Sequence, residues 1–500
     1  MSDLSWTVVS AWPMLAVLQW LPLLGAVGVL LLGERALALA VGRVVALLEL
    51  GVAVIAYRQI DATNPAQQLA ERLPALAYHV GADGITALFV LLGALIVVLV
   101  AFYELVRELD RPARLLGLVL LIEAMLMVQL VTLNLLWFIV ASMVELTLVT
   151  LLIGQWSTST PENRQLATVR FAQFQAIGLM MLIGGVAILA WGHADVTGQW
   201  SFDLYDLSRV PAHGRFQSVA FFLLFYGLAV RTPLFPLHGW LPNVMHRGTV
   251  SIAPALLLGV KVGIYGMLRF VLPLTQEAVM IWQYWIVGFA MVGVFYAAVL
   301  AMLQTNLRRL LSFAVVSHTS LIVIGVFTLH PLGIAGAVLL AVNFGLAATV
   351  MLFMVGFVFR RTHTTDLARL GGLFERIPFI AGSFLVGGLA IVGMPGTPGF
   401  DAVHLVLEAA MERFGAFLTV ATALGNVTAA GFLLWAFQKA FIAPRSASES
   451  TQVLERTQPM EYFVGGLALV ILLLAGFYFE TWLVLTETAA RGMALRFGGT

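Results

Sequence analysis

The stretch that decides the fold is LAVRTPLFPLHGWLP, residues 228–242, in which an apolar helix is interrupted by two prolines. A proline inside a helix removes one backbone hydrogen bond and clashes with the preceding turn, so Pro233 and Pro236 predict a broken helix. The surrounding apolar run, 216–243, is too long for one straight crossing of a bilayer whose hydrocarbon is about 30 Å thick. Unwound backbone at membrane depth is tolerated only where protein or a wet cavity covers it, and such breaks often mark functional sites.

The composition of the whole chain places this helix in a membrane protein. Of the 500 residues, 61% are hydrophobic and only 11% are charged, which is too little polar surface to cover a water-soluble globule. Soluble enzymes, nucleic-acid-binding proteins and disordered chains are therefore excluded as classes. The strands of an outer-membrane barrel would be about 10 residues long and would alternate apolar with polar residues, whereas the runs here are long and continuously apolar. We predict an all-α polytopic membrane protein.

Apolar runs between charged, proline and glycine residues predict about fourteen transmembrane helices. The predicted spans are 13–33, 36–57, 85–106, 114–132, 134–156, 167–192, 216–243, 250–273, 279–304, 309–329, 331–359, 377–412, 414–441 and 460–489. The twelfth span is also too long for one straight crossing and contains a proline pair, Pro395 and Pro398. It is predicted to be a second broken helix.

The two broken helices, the seventh and the twelfth, lie five spans apart and predict an internal repeat. Spans 4–8 and 9–13 would be two copies of one five-helix unit, and because five is odd, the copies would be inverted across the membrane. The chain then divides into 1–112 with spans 1–3, 113–273 with the first repeat, 274–441 with the second repeat and 442–500 with span 14. A chance pair of proline kinks is the alternative explanation.

The distribution of basic residues predicts the orientation in a bacterial inner (cytoplasmic) membrane. Lysine and arginine concentrate in the cytoplasmic loops of membrane proteins. The loops after odd-numbered spans hold fifteen basic residues, among them Arg445, and the opposite side holds eight. Both termini are therefore expected on the non-cytoplasmic side.

The remaining composition bears on cofactors and partners. The net charge of +1, from 27 basic and 26 acidic residues, indicates no nucleic acid or other polyanionic partner. The absence of cysteine excludes disulfides, iron–sulfur clusters and thiolate metal sites. We identify no metal site and no nucleotide-binding motif, and we expect no cofactor. The energy source is therefore expected to be an ion gradient or a partner subunit.

A few ionisable side chains interrupt the predicted spans. A charge at mid-bilayer costs roughly 2.5–3.5 kcal/mol on insertion scales, so each charge needs an interior partner or a wet cavity. Single groups lie in spans 5, 7, 8 and 10, and three more share one helix face beyond the second break, at i, i+3 and i+7. These candidates for a proton path are Glu145, Arg231, Lys261 and His318, followed by Asp401, His404 and Glu408.

Lys261 is the most informative of these residues. The chain has only two lysines, Lys261 and Lys439, and arginine supplies its other basic residues. A desolvated lysine can release its proton and an arginine practically cannot, so a lone lysine inside a span suits proton loading and release. A structural ion pair between two helices is the alternative for Lys261 and for Glu145.

Structural roles are open for the other groups as well. Arg231 could bond carbonyl groups that the break sets free, His318 could be a neutral, hydrogen-bonded core histidine, and the 401–408 face could lie in water. Taken as a set, the seven groups resemble stepping stones through the bilayer interior. A chain of such groups could move protons against a membrane potential if something else drives the movement.

Several motifs resemble those of the antiporter-like proton-pumping subunits of complex I, most closely its chain M. They are VGADGITALFVLL at 80–92, TPLFPLHGWLPNVM at 232–245, LLLGVKVGIYGMLRFVLP at 256–273, RRLLSFAVVSHTSL at 308–321 and MPGTPGF at 394–400. The chain is similar also to the membrane subunits of Mrp-type antiporters, membrane-bound hydrogenases and inorganic-carbon uptake complexes. The resemblance covers roughly residues 80–440. It implies fourteen helices, two inverted five-helix repeats with broken helices 7 and 12, and a proton path along the membrane plane.

The resemblance carries over to individual positions. It places the family's span-5 glutamate at Glu145, its span-8 lysine at Lys261 and its span-10 histidine at His318. It also places the helix-breaking prolines at Pro233, Pro236 and Pro395.

The chain differs from the family pattern at several residue positions of the implied proton path. The family's span-7 lysine is Arg231, which can hardly lose its proton, and the span-11 histidine falls on Phe344. The terminal span-12 acid or lysine falls on Val403, and the aspartate after HGWLP and the span-5 proline are Asn243 and Thr150. These substitutions indicate a divergent member whose path could conduct differently.

The first functional prediction is a proton-translocating, antiporter-like subunit of an energy-coupled membrane complex. It would be a non-redox subunit of a translocase-type complex, with other membrane and peripheral subunits as partners. A close variant is the membrane subunit of a proton-gradient-driven inorganic-carbon uptake complex (CO2 to bicarbonate), whose peripheral partner is a zinc protein. A non-conducting structural scaffold is the alternative from another class, and the presence of Glu145 and Lys261 argues against it.

Overall fold

The computed structural model describes residues 7–9, 12–107, 109–210, 214–444 and 455–498. Arg445, which contributes to the predicted orientation, and both chain termini lie outside the described residues. The helices of the first half are α1 Met14–Leu32, α2 Ala36–Gln59, α3 Gly84–Arg107, α4 Pro112–Val131, α5 Leu135–Gln155, α6 Pro161–Thr197, α7 Leu204–Arg209, α8 Gly214–Arg231 and α9 Leu241–Arg247. Those of the second half are α10 Ile252–Gly259, α11 Val262–Gly266, α12 Leu272–Leu274, α13 Gln276–Met302, α14 Leu307–Val326, α15 Pro331–Thr362, α16 Pro378–Val392, α17 Pro398–Phe414, α18 Ala416–Phe437, α19 Pro459–Phe477 and α20 Phe479–Ala494.

The architecture is that of a polytopic helical membrane protein, as the apolar runs predict. Within the described residues, twelve helical segments are long and apolar enough to cross a bilayer, and α10–α12 count as one of them. The seventh and twelfth predicted spans are not among the twelve, because each is divided into pieces that are shorter or less apolar. The figure of fourteen spans therefore stays a prediction.

The prolines of 228–242 interrupt the seventh span. Pro233 and Pro236 lie in the non-helical segment 232–240 between α8 and α9. The indole Nε1 of Trp240 donates a hydrogen bond of 2.9 Å to the Val230 carbonyl, which α8 leaves free at its end. A buried carbonyl at a helix end needs such a donor, so the Trp240 side chain caps the end of α8.

The break in the twelfth span lies at 393–397, between α16 and α17. Pro395 is inside it, and Gly393 and Gly396 have φ of +86° and +88°, values that glycine adopts without strain. Pro398 bounds the break on its other side, because it is the first residue of α17. Proline is well tolerated there, since the first N–H groups of a helix have no intrahelical partner.

The eighth span is also interrupted, which the sequence does not predict. Helix α10 ends at Gly259, and α11 begins at Val262 after Val260 and Lys261. A π-helical turn, Met267–Val271, follows α11 and holds Arg269. Such turns inside a helix often occur at functional sites.

The end of the chain differs from the prediction of one span over 460–489. Helix α19 ends at Phe477, and a second helix, α20, runs from Phe479 to Ala494. With 16 residues, among them Glu480, Glu487 and Arg491, α20 is too short and too polar to qualify as a span, and it packs against α15 and α3.

A small sheet at one end of the helices is a second unpredicted element. Strand β1 (Thr7–Val9) pairs in parallel with β2 (Gln67–Leu73), which pairs in antiparallel with β3 (Tyr78–Ala82). Apart from β1, it is formed by the loop between spans 2 and 3, which is too short for a separate domain. Strand β2 contacts α1, and β3 contacts α3 and α4.

The centre of the bundle is formed by α10–α12, α14 and α15. In the 18-residue apolar stretch of each of these segments, 94%, 94% and 100% of the residues are buried. The corresponding shares are 39% in α1 and 33% in α2. The residues predicted for spans 8 and 10 therefore lie at the centre of the molecule, and α1 and α2 lie at its edge.

Candidate proton path

The first group of the predicted path is an ion pair between Glu145 and Arg231. Glu145 is at the middle of α5 and Arg231 is the last residue of α8, and the guanidinium Nη2 contacts the carboxylate Oε2. The two side chains are 3% and 10% exposed, so the pair is buried. Arg231 ends its helix because the proline-containing break begins at the next residues.

Two polar residues of the bundle hold the Glu145 carboxylate in place. The Gln129 amide donates to Glu145 Oε2 at 3.3 Å, and the hydroxyl of Ser142 donates to Gln129 Oε1 at 2.7 Å. All three residues are buried. The alternative in which Arg231 bonds carbonyl groups of the break is not what the structure shows, because Trp240 occupies the Val230 carbonyl and Arg231 faces Glu145.

The second group is Lys261, in the interruption of the eighth span. Its side chain is 3% exposed, and Nζ donates to the Thr319 hydroxyl of α14 at 2.8 Å. The same nitrogen lies 4.1 Å from the centre of the Phe344 ring of α15. Among the described residues no carboxylate forms an ion pair with it, so the two groups that receive the ammonium are a hydroxyl and an aromatic face.

His318 adjoins this lysine. It is 2% exposed, its ring lies 5.8 Å from the ring of Phe344, and neither ring nitrogen has a hydrogen-bond partner among the described residues. It is a core histidine, as the alternative has it, but no described residue hydrogen-bonds its ring. An imidazole with both nitrogens free in a buried site is positioned to accept or donate a proton when water enters.

The two groups are neighbours, although 30 residues separate Arg231 from Lys261 in sequence. Gly263, two residues after Lys261, packs directly against Thr232 and the Leu228 carbonyl at the end of α8. A side chain at position 263 would push the two helices apart, so glycine is needed for this close approach. The glycine brings the start of α11 against the turn that holds Arg231.

The third predicted group, on α17, is separate from the other two. Asp401 is half-buried, and His404 and Glu408 are exposed on the surface of the chain. They are seven residues or less apart on one face, as the spacing predicts, but none of them contacts Glu145, Arg231, Lys261 or His318 by a hydrogen bond or ion pair in the described part of the chain. The structure therefore joins Glu145 to Arg231 and places His318 beside Lys261, whereas α17 presents its charges outward.

Several buried polar and acidic residues are not among the groups predicted from the sequence. Gln129 and Thr319 are uncharged, so a search for charged residues within spans does not find them. Only the fold places them against Glu145 and Lys261. Glu49 is different, because it lies inside the apolar run 36–57 and the rule for charges within spans selects it. It is fully buried, as is Glu123 of α4, and the two carboxyl groups are close enough to interact electrostatically. None of their four oxygens has a hydrogen-bond partner among the described residues.

This arrangement suits proton movement. A buried ion pair lies at the end of α8, close to the interruption that places Lys261 beside a hydroxyl and an imidazole without a partner among the described residues. If the Glu145–Arg231 pair opened, the electric field at Lys261 would change, and with it the free energy of holding a proton there.

Comparison with known proteins agrees with the motifs. The family model described as "NADH:quinone oxidoreductase/Mrp antiporter, TM" matches residues 132–428. NADH-quinone oxidoreductase subunit M of Mycobacterium tuberculosis is 30% identical over 516 aligned residues, covering 93% of this chain and 91% of that protein. A chain of respiratory complex I from Thermus thermophilus superposes with a TM-score of 0.87 at 27% identity, over 97% of this chain and 100% of its own length. A chain of the Mrp complex from Dietzia sp. superposes with a TM-score of 0.86 over 96% and 97% of the two chains, and its 18% identity shows a common fold alone.

Proposed function

The chain belongs to the transmembrane family of NADH:quinone oxidoreductases and Mrp antiporters, and from that membership we propose that it is the antiporter-like, proton-translocating subunit of a complex I-type membrane complex. The observation that carries the proposal is Lys261: a lysine with no carboxylate partner among the described residues, buried in a helix interruption beside a free imidazole. A lysine held in this way can be charged or neutral, and that is what proton loading requires.

In the proposed mechanism the Glu145–Arg231 pair controls the charge of Lys261. Arg231 stays protonated, so the pair can change only by moving apart. When the guanidinium turns away from Glu145, the carboxylate has no counter-ion and stabilises a proton on Lys261. When the pair closes again, that stabilisation is lost and Lys261 releases its proton toward His318 or water. The Phe344 ring replaces a second titratable group in this chain and supports the charged lysine by a cation–π contact.

The exposed face of α17 supports assembly with a neighbouring membrane subunit. His404 and Glu408 are exposed on a helix of a membrane-embedded protein. Charged groups facing hydrocarbon are costly, so this face is best satisfied against a partner with polar groups. We place the onward proton transfer through Asp401, His404 and Glu408 at that contact. Redox subunits of the same complex would supply the energy.

The domain organisation and location follow the same proposal. Residues 113–273 and 274–441 are the two inverted five-helix repeats, with 1–112 and 442–500 as flanking segments. The interruptions at 232–240 and 393–397 occupy corresponding places five spans apart, which supports this division. The membrane is a bacterial inner membrane, with both termini on the non-cytoplasmic side, in accord with the excess of basic residues on the opposite side.

The experiment compares the two lysines of the chain in the native complex. An affinity-tagged chain carrying Lys261→Ala is purified from its own membranes beside a Lys439→Ala control, which removes an exposed lysine in the π-helical turn that follows α18. We expect both variants to retain the redox subunits by mass spectrometry and only Lys261→Ala to lose NADH-driven proton uptake in inverted vesicles. Normal proton uptake by an assembled Lys261→Ala complex, or purification without redox subunits, would contradict the proposal.

A further inference from the structure

Arg269, in the π-helical turn of the eighth span, is a buried cation that the protein engages only in part. Its Nε donates to the Tyr265 hydroxyl at 3.3 Å, and its Nη2 donates to Asp83 Oδ1 and to Thr86 Oγ1, both at 2.8 Å. The side chain is 5% exposed. The two N–H groups of Nη1 have no hydrogen-bond partner among the described residues. A buried guanidinium N–H without an acceptor is costly, so Nη1 indicates a further acceptor at this place.

Arg269 lines a cavity at the end of the bundle that carries the sheet. The volume of the cavity is about 330 Å³, which is at the lower end of the range for small-molecule sites. Strand β2, helix α7, the end of the eighth span and the C-terminal turn Leu495–Phe497 surround it. Because the N–H groups of Nε and Nη2 are already used, those of Nη1 are available to a molecule in the cavity.

The charged side chains of the lining favour an anion in this cavity. They are Arg269, Arg496 and Asp83, so two positive charges and one negative charge give the lining a net charge of +1. Asp83 accepts hydrogen bonds from Arg269 and from the Gln67 amide, so its charge is already compensated. Burial and the nearby charge of Arg269 lower the pKa of the half-buried Arg496. An anion in the cavity would stabilise both guanidinium groups, since two like charges close together repel each other.

The rest of the lining indicates what kind of anion fits. It is mainly apolar and includes Leu204, Leu268, Leu272, Pro273, Met493 and Phe497. The apolar segment 252–274 ends here, so the cavity lies near the boundary between hydrocarbon and water. Inorganic phosphate gains nothing from apolar walls, whereas the glycerol carbons and first methylene groups of a lipid do. Guanidinium groups match the geometry of phosphate oxygens, so the two parts of the lining together suit the headgroup of an anionic phospholipid.

We propose that this cavity binds the phosphate group of an anionic phospholipid, held by Arg269 of the eighth span and Arg496 of the C-terminal turn. The bound phosphate accepts hydrogen bonds from Nη1 of Arg269 and neutralises the excess charge of the lining. It links the π-helical turn to the C-terminal turn and so holds the end of the described chain against the bundle. The site is separate from Lys261, which lies eight residues before Arg269, and it does not depend on proton translocation.

The first test measures occupancy of the cavity with a single thiol. The chain has no cysteine, so Ser208→Cys in the cavity lining and Thr63→Cys on an exposed loop each place one thiol in this subunit. The purified complex is washed with neutral detergent, and the rate of labelling by N-ethylmaleimide is measured with added lipid. The probes are dioctanoyl phosphatidylglycerol, dioctanoyl phosphatidylcholine and inorganic phosphate.

We expect phosphatidylglycerol to slow labelling at position 208 at least about tenfold, and the other two probes to have little effect at the same concentration. Labelling at position 63 should not change. Protection by inorganic phosphate equal to that by phosphatidylglycerol would overturn the assignment to a lipid and leave a site for free phosphate. Equal protection by the two lipids would overturn the role of charge.

The second test removes one guanidinium group. Arg496→Gln is chosen because a substitution of Arg269 would also break its buried pair with Asp83 and could prevent folding. Arg491→Gln is the matched control, because Arg491 lies on α20 five residues earlier, is 64% exposed and does not line the cavity. Both are made in the Ser208→Cys background.

We expect the phosphatidylglycerol concentration for half-protection to rise at least about tenfold in Arg496→Gln, as for loss of one charge-assisted hydrogen bond, and to stay unchanged in Arg491→Gln. A lipid retained through the wash would appear as slow labelling of the parent that Arg496→Gln restores to a fast rate. Fast labelling that no probe slows, or equal behaviour of the two arginine variants, would overturn the proposal. The readout is binding, so the result is independent of whether the complex translocates protons.

Discussion

Breaking the Glu145–Arg231 pair from its two sides should give different costs, because only one partner can lose its charge. Glu145→Gln keeps the length of the side chain and leaves a guanidinium that is 10% exposed without a counter-ion. An uncompensated buried charge of this kind costs about 3–5 kcal/mol, and arginine cannot escape the cost by deprotonation. Arg231→Met leaves a carboxylate, which can instead take up a proton. Taking up that proton becomes about 1.4 kcal/mol easier for each lower pH unit.

The sign of the pH effect follows from these costs. Arg231→Met should become less destabilising as the pH falls from 7 to 6, whereas Glu145→Gln should be insensitive to pH in this range. The double variant removes both charges and should recover most of the loss, with a coupling energy of at least about 2 kcal/mol.

A single thiol in the cysteine-free chain provides the assay. Ala141 lies one turn before Glu145 and is 2% exposed, so a cysteine introduced by Ala141→Cys reacts only when this region opens. Its reaction rate with a maleimide in the purified complex, measured at several denaturant concentrations, reports the free energy of opening. A loss of 3 kcal/mol corresponds to a rate more than about 100-fold faster. Rates in both single variants within about tenfold of the parent, or a double variant no better than the singles, would refute the assignment of a buried ion pair.

Two further predictions concern buried acids. Glu49→Met and Glu123→Met should each leave the stability unchanged or raise it. Each replaces two buried carboxyl oxygens that have no partner among the described residues by an apolar side chain of similar length. The infrared band of protonated carboxyl groups should weaken in both variants. A clear loss of stability would show that these carboxyl groups have a partner in the complex. Glu461→Gln should destabilise the docking of α19 on α15 by about 3–5 kcal/mol, because it leaves Arg361, bonded to both Glu461 oxygens at 2.7 and 2.6 Å, as an unpaired buried charge. Protease sensitivity of the α18–α19 connection measures this, and unchanged sensitivity would contradict the prediction.

The helical architecture could be predicted because each span of a membrane protein can be recognised from its own local sequence. A run of apolar residues long enough for the bilayer is sufficient, and this applies to twelve helices of the described chain. The break of span 7 is local as well, since Pro233 and Pro236 act within one turn. The sequence does not distinguish a proline inside a break from a proline at the first position of the next helix, which is where Pro398 lies.

The contacts of the site could not be predicted, because they join residues that are far apart in the chain. Glu145 and Arg231 are 86 residues apart, and Lys261 and Thr319 are 58 apart. The interruption at Lys261 has no proline, and only Gly259 and Gly263 on either side of it hint at a weak helix. The cavity beside Arg269 depends on a sheet and a C-terminal turn that the apolar pattern does not show. Periodicity thus predicts the elements, and tertiary packing decides which charges meet.

The most direct test of the central claim replaces Lys261 by a cation that cannot release its proton. Lys261→Arg keeps a positive charge that can donate to Thr319 and face the Phe344 ring, and it removes the ability to deprotonate. The measurement is the number of protons translocated per NADH oxidised in sealed vesicles of the assembled complex, with Lys439→Arg as the control. We predict a lower proton number for Lys261→Arg and an unchanged number for Lys439→Arg. The parental proton number in an assembled Lys261→Arg complex would contradict the claim that Lys261 loads and releases a proton.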